Sequence, residues 1–280
     1  MAGFKQLPPS ENLGKYLKTI EFRVQGLEGK RREIQTEVYR GSIASLEGTV
    51  GQVGPTEAYP KLDEYGSLPQ NVAAVYLPIP HTIAIGRESV YSIALHVAVR
   101  DFPSIPFEIR KSAGVVAERN KADLGSTLVH ELVHSMRRNA ALVSISQSSN
   151  GRSNLRCAEE AVACFAEAVI ANKSIDQIKL SIHGAVSGLE DGVAYTFGHL
   201  LGYLAAFRWA GKNAKELVQE LIGEENPHRI LQRVLPFAIE AMETIAGMPQ
   251  DVLLGGEYVK NKAPALLRKF IGSINSGVSA

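Results

Sequence analysis

Two histidines stand four residues apart in the segment His130-Glu131-Leu132-Val133-His134. On a helix, positions i and i+4 share one face, one turn apart. His130 and His134 can therefore aim two imidazoles at one point, and zinc accepts such nitrogens at about 2.0–2.1 Å. Glu131 lies about 100° further round the helix. It is badly placed to bind the same ion but well placed to reach a water held by that ion, which is the position of a general base. Leu128, Leu132 and Met136 form an apolar stripe through the segment, so a helix is expected there.

A catalytic zinc usually takes three protein ligands and keeps a fourth position open. The next helical stretch, Cys157-Ala158-Glu159-Glu160-Ala161-Val162-Ala163-Cys164-Phe165-Ala166-Glu167, is the place to look for the third. A glutamate pair near a helix start is also what the macrodipole favours. Two features point further. Ala161, Ala163, Ala166 and Ala168 leave little bulk, so this helix can approach the first one closely. Glu160 and Glu167 share a face with Ala163 and Cys164. Glu160 is preferred to Glu159 as the ligand, which leaves Glu159 or Glu167 to orient an imidazole N–H. Cys157 and Cys164 are rival ligands, although thiolates usually build closed structural sites.

On these residues the chain resembles the gluzincin branch of the zincin metallopeptidases. In that branch HExxH is followed, one helix later, by a glutamate ligand in a motif such as E-x-x-A. Here Glu160-Ala161-Val162-Ala163 stands 26 positions after His134. The resemblance spans about residues 80–210; residues 1–70 and 212–280 carry no part of it. It implies that His130, His134 and Glu160 bind Zn2+, that Glu131 activates water, and that the substrate is a peptide or protein. It also implies a strand upstream that lines the cleft, with TIAI at 82–85 as the candidate. The third histidine of the metzincin signature does not follow His134.

Gluzincin-like enzymes often take an oxyanion donor, a Tyr or a His, from a later helix. Tyr195 and His199, at i and i+4, are the candidates. Against them, Ala194, Gly198, Gly202, Ala206 and Ala210 recur at fours, which builds that helix for close packing, with Tyr195 as a core tyrosine. His183, in a glycine-flanked loop, is a further candidate. His81, His96 and His228 are read as ordinary. Arg137 and Arg138 follow the motif at once, either to bind a substrate carboxylate or, as such residues more often do, to form a solvated face or compensate a helix C-terminus.

The elements that must position these residues follow from periodicity. Residues 10–47 carry Leu13, Leu17, Ile20, Val24, Leu27, Arg31, Ile34 and Val38 at threes and fours, a helical stripe with one charged break. A β-hairpin fits shorter pieces of the same stretch. Residues 48–70, rich in glycine and proline, read as loop or linker. Short strands are expected at 72–77 and 82–85, then a helix capped by Ser89 and running from Val90 to about Arg100. Helices are expected near 124–143, 155–171, 192–210, 213–223, 227–246 and 263–274. The fold class is thus α+β and mostly helical, with a small sheet before the active-site helix; the resemblance implies that residues 71–280 form a zincin-like domain. Residues 1–70 form an N-terminal extension and linker.

Bulk properties name no partner. The formal net charge is +1, so there is no basic signature for nucleic acid. Two cysteines seven apart on one helix are too distant for a disulfide, and no apolar leader opens the chain. A reducing, cytoplasmic location is the simpler expectation. Val193 to Ala210 is apolar enough to test as a membrane span, but its Thr196, His199 and Arg208 favour a buried helix. Oligomeric state is not written in the sequence. Two other functions stay open: a silent zincin-fold scaffold, and a hydrolase of non-peptide amides. Glu131 argues against the first, because a scaffold needs no base there.

Overall fold

A computed structural model describes residues 13–14, 16–18, 27–51, 59–65, 68, 72–141, 153–188, 194–210, 212–246, 265 and 268. Among these residues the chain is mostly helical with one small sheet, as an α+β class requires. The elements are helix α1 (Leu27–Val50), strands β1 (Lys61–Tyr65), β2 (Ala74–Leu77) and β3 (Thr82–Gly86), and helices α2 (Arg87–Asp101), α3 (Phe107–Met136), α4 (Ser153–Ile170), α5 (Ile175–Gly188), α6 (Ala194–Trp209), α7 (Lys215–Gly223) and α8 (Pro227–Ala246). Most of the helix expected at 263–274 lies outside the described residues.

The chain divides into two compact units. One comprises Met1–Ile43, Lys61–Val75 and Thr82–Leu128; the other comprises Ala44–Pro60, Tyr76–His81 and Val129–Ala280. In the first unit, α1 buries Leu27, Arg31, Ile34 and Val38, so the helical stripe prevails over the hairpin from Leu27 on, while Ile20 and Val24 lie outside the described residues. Its one charged position, Arg31, is buried and held by Glu28 at 2.7 Å. Ser42 Oγ donates to the Gly125 carbonyl at 3.1 Å, which ties α1 to the first part of α3. A cluster of Val99, Ile105, Ile109 and Ala113 joins α2 to α3 across the break that Pro103 and Pro106 impose.

The three strands lie in the order β1-β3-β2, with β1 and β3 parallel and Lys61 opposite Thr82. β3 is central and buried along its whole length. Residues 61–65 were expected in a loop; they form a strand because β3 offers them a parallel partner, which local composition does not reveal. Ser89 is not a cap. α2 starts at Arg87 straight after β3, with Gly86 at the N-cap and no side-chain cap bond.

In the second unit α4 is the core helix. Every residue from Cys157 to Ala168 is buried, including Glu159, Glu160 and Glu167. It packs chiefly against α6, with α7 and α8 alongside. The approach of α4 to α6 depends on two glycines. A Cβ on Gly198 would lie 2.6 Å from the Cys157 carbonyl and from Glu160 Cβ. One on Gly202 would lie 2.5 Å from the Ala161 carbonyl and 2.7 Å from Cys164 Cβ. The small-residue stripe expected in α6 is therefore the seam between the two helices. No helix among the described residues is long and apolar enough to cross a membrane.

This seam makes a direct prediction. Gly202→Ala should cost about 1–3 kcal/mol in urea unfolding, the scale of overpacking against unyielding backbone. Gly184→Ala on α5, where an added Cβ meets nothing within 4 Å, should be neutral or stabilising by up to about 1 kcal/mol. Equal effects at the two glycines would contradict the packing described here.

Candidate metal centre

α3 carries His130, Glu131 and His134 in its last two turns. Leu128, Leu132 and Val133 are fully buried around them and fix the rotation of the helix. The two imidazoles meet with His130 Nε2 and His134 Nε2 3.1 Å apart. Glu160 of α4 completes a triangle: its Oε2 is 3.3 Å from His130 Nε2 and 3.4 Å from His134 Nε2. Ligands about 2.0–2.1 Å from a tetrahedral zinc are about 3.3–3.4 Å from one another. The donor set, two nitrogens and one carboxylate oxygen, suits that ion, so His130, His134 and Glu160 could hold it.

The second imidazole nitrogen of His130 is also accounted for. Nδ1 faces Glu167 Oε2 at 3.3 Å, the arrangement in which a ring N–H donates to a carboxylate and leaves Nε2 free for a metal. Glu167 is itself fixed by Lys173 Nζ at 2.7 Å and by the Tyr203 hydroxyl, which donates at 2.8 Å. Glu167 is thus the orienting acceptor, and Glu159 is not. Glu159 turns away and binds Arg137, whose Nη2 lies 2.6 Å from Oε1.

Arg137 is buried and is no substrate ligand. Its Nη1 donates to the carbonyls of Leu221, Ile222 and Glu224 at 2.7–2.9 Å, capping the end of α7. Arg138 Nε donates to the Pro78 carbonyl at 3.1 Å.

Glu131 accepts the Tyr76 N–H at 2.6 Å through Oε2. The strand residue that reaches the motif is therefore in β2. β3, with the TIAI segment, has a neighbour on either side and offers no edge. Burial pushes the Glu131 carboxyl up, against the opposing charges of His130 and His134.

On α6, His199 Nε2 lies 3.1 Å from Glu160 Oε2, and Tyr195 packs against His199 with ring centroids 4.2 Å apart and planes tilted by 44°. Tyr195 is 39% exposed, a rim residue and not the core tyrosine expected from the packing stripe. His183 lies on α5, not in a loop, and takes no part in either metal-competent grouping.

The imidazoles surround a buried carboxylate, and the charges respond. Burial alone would lower His130; Cys164, Glu160 and Glu167 instead hold it well above the usual histidine range. His134 is raised in the same way, burial again opposing and Glu160 prevailing. His199 reaches about 10, with burial opposed by Cys164 and Glu160. Glu160, which burial would raise, is held well below the carboxylate range by His134, His130 and His199. Cys164 Sγ approaches His130 Nδ1 at 3.8 Å, and a second grouping of His130, Cys164 and His199 is also metal-competent.

Tyr76, Lys173 and Tyr203 are site residues that the sequence did not single out. Tyr203 had a signal, since Tyr195, His199 and Tyr203 repeat at fours on one helix face. Lys173 and Tyr76 had none.

The two adjacent glutamates should separate cleanly. Glu160→Gln should lower zinc affinity at least about tenfold. Glu159→Gln should keep zinc but lose roughly 2–4 kcal/mol of stability, because it strips the charged partner from buried Arg137. Metal analysis beside thermal unfolding checks both, and the reverse pattern would exchange the two roles.

Compared with known proteins, the chain matches no family model, no curated protein and no solved structure.

Proposed function

We propose that this chain is a zinc-dependent metallopeptidase of the gluzincin-like kind, with His130, His134 and Glu160 as ligands and Glu131 as general base. One observation carries the proposal: three ligand atoms converge at 3.1–3.4 Å, and Glu131 lies close enough for the charges of all three residues to act on it. A zinc ion held there would polarise an amide carbonyl and make a water easier to deprotonate.

The protein's own groups supply the rest. Tyr76 N–H occupies Glu131 Oε2, which leaves Oε1 to accept a proton. Burial raises the basicity of that carboxylate toward the working range of a general base. Glu167 holds the His130 ring in the orientation that points Nε2 inward. His199 stands beside Glu160, with Nε2 3.1 Å from Oε2, where a ring N–H could meet negative charge that develops on a carbonyl oxygen. Tyr195 lies against His199 and is exposed. A peptide or protein in a cytoplasmic setting is the proposed substrate.

The alternative is a catalytically silent scaffold of the same fold, whose site would be closed to substrate.

Glu131→Gln decides between them. The variant keeps shape and loses the basic carboxylate. Zinc content should match the wild type, while cleavage of a broad peptide library should fall about 10²-fold or more. Equal cleavage by both forms would remove Glu131 from the mechanism. Absence of chelator-sensitive cleavage in the wild type would favour the closed scaffold.

A further inference from the structure

Three cations stand on the site's elements already engaged: Arg137 on Glu159 and the α7 carbonyls, Lys173 on Glu167, and Arg138 with its Nε on the Pro78 carbonyl. Arg156 differs. It is exposed, it lies one turn before Glu160 on α4, and its guanidinium sits over the Tyr195 ring, 5.2 Å from the centroid. Among the described residues it meets no carboxylate.

The stacking matters for two reasons. An aromatic face holds a guanidinium flat while leaving its N–H edge free for a planar, two-point acceptor. Tyr195 in turn rests on His199, whose Nε2 is 3.1 Å from Glu160. A continuous column thus runs from the candidate metal ligand outward: Glu160, His199, Tyr195, Arg156. Two one-turn steps build it, 156 to 160 on α4 and 195 to 199 on α6. The Gly198 and Gly202 seam keeps these two helices in register.

Resting on the zinc centre proposed above, we propose that Arg156 is a specificity residue that binds a carboxylate of the peptide substrate, at its C-terminus or on an acidic side chain. One helical turn advances about 5.4 Å along α4. An extended peptide covers about 3.3–3.6 Å per residue. The carboxylate selected therefore stands one or two residues from the scissile amide. The Arg156–Tyr195 pair reads charge at the rim and takes no part in the bond-breaking step.

The test uses the full-length, zinc-loaded protein and three short peptide hydroxamates of one backbone. The first ends in a free carboxylate, the second in a carboxamide, and the third in a carboxamide with a glutamate side chain beside it. Titration calorimetry should show the wild type binding a carboxylate probe about fivefold to tenfold more tightly than the neutral one, with the gap shrinking in high salt. Whichever acidic probe gains identifies the source of the carboxylate. Arg156→Gln should erase the gap and Arg156→Glu should invert it. Arg138→Gln should keep it.

No preference in the wild type, or a preference that survives Arg156→Gln, overturns the assignment. Loss of the preference in Arg138→Gln alone moves the contact to Arg138 and overturns it equally. Bound zinc with no probe bound overturns the assignment while leaving the metal centre intact. Absence of zinc by metal analysis overturns the centre itself, and the assignment with it.

Discussion

Close contact between α4 and α6 is the constraint on which the rest of the second unit depends. Gly198 and Gly202 lie against backbone and Cβ atoms of α4, where no side chain fits. The same contact places His199 on Glu160 and Tyr203 on Glu167, since these residues flank the glycines on one helix face. Any larger residue at the seam would push α6 outward and pull both side chains off their carboxylates. The chemistry of the candidate centre therefore rests on the absence of two methyl groups.

Helix α4 buries three carboxylates, Glu159, Glu160 and Glu167, each less than a tenth exposed. A buried carboxylate is costly unless something positive or a set of donors meets it. Glu159 has Arg137, and Glu167 has Lys173 with the Tyr203 hydroxyl. Glu167 also faces His130 Nδ1, but Glu160 alone among them is met by imidazoles only, from His130, His134 and His199. Protons on those rings balance its charge, and a divalent cation can replace them. Such a carboxylate, paired only with groups that can give up a proton for a metal, separates this cluster from an ordinary buried ion pair.

Much of this was legible in the sequence where spacing alone decides geometry. His130 and His134 converge because i and i+4 do so on any helix. Glu160 could be told from Glu159 because its face also carries Ala163 and Cys164. The helical stripe of α1 was right over Leu27 to Val38, and its charged break proved to be the buried Arg31. What failed needed partners distant in sequence. β1 is a strand only because β3 lies beside it. Arg137 read as a substrate ligand, a solvated residue or a helix C-terminal charge; it does meet the last carbonyls of a helix, but of α7, more than 80 positions away. α5 is a different case, because its start carries a local signal: Ser174 and Gln177 exchange reciprocal side-chain to backbone bonds at 3.2 and 2.8 Å, a capping box. The glycine after His183 obscured it.

The coordination of zinc tests the central claim most directly. X-ray absorption at the zinc edge of the loaded protein should show a nitrogen and oxygen shell at about 2.0–2.1 Å, with the outer-shell pattern of two imidazoles and no sulfur. The spectrum should be unchanged in Cys164→Ser. A sulfur scatterer near 2.3 Å would put Cys164 in the first shell and replace the centre described here with the grouping of His130, Cys164 and His199.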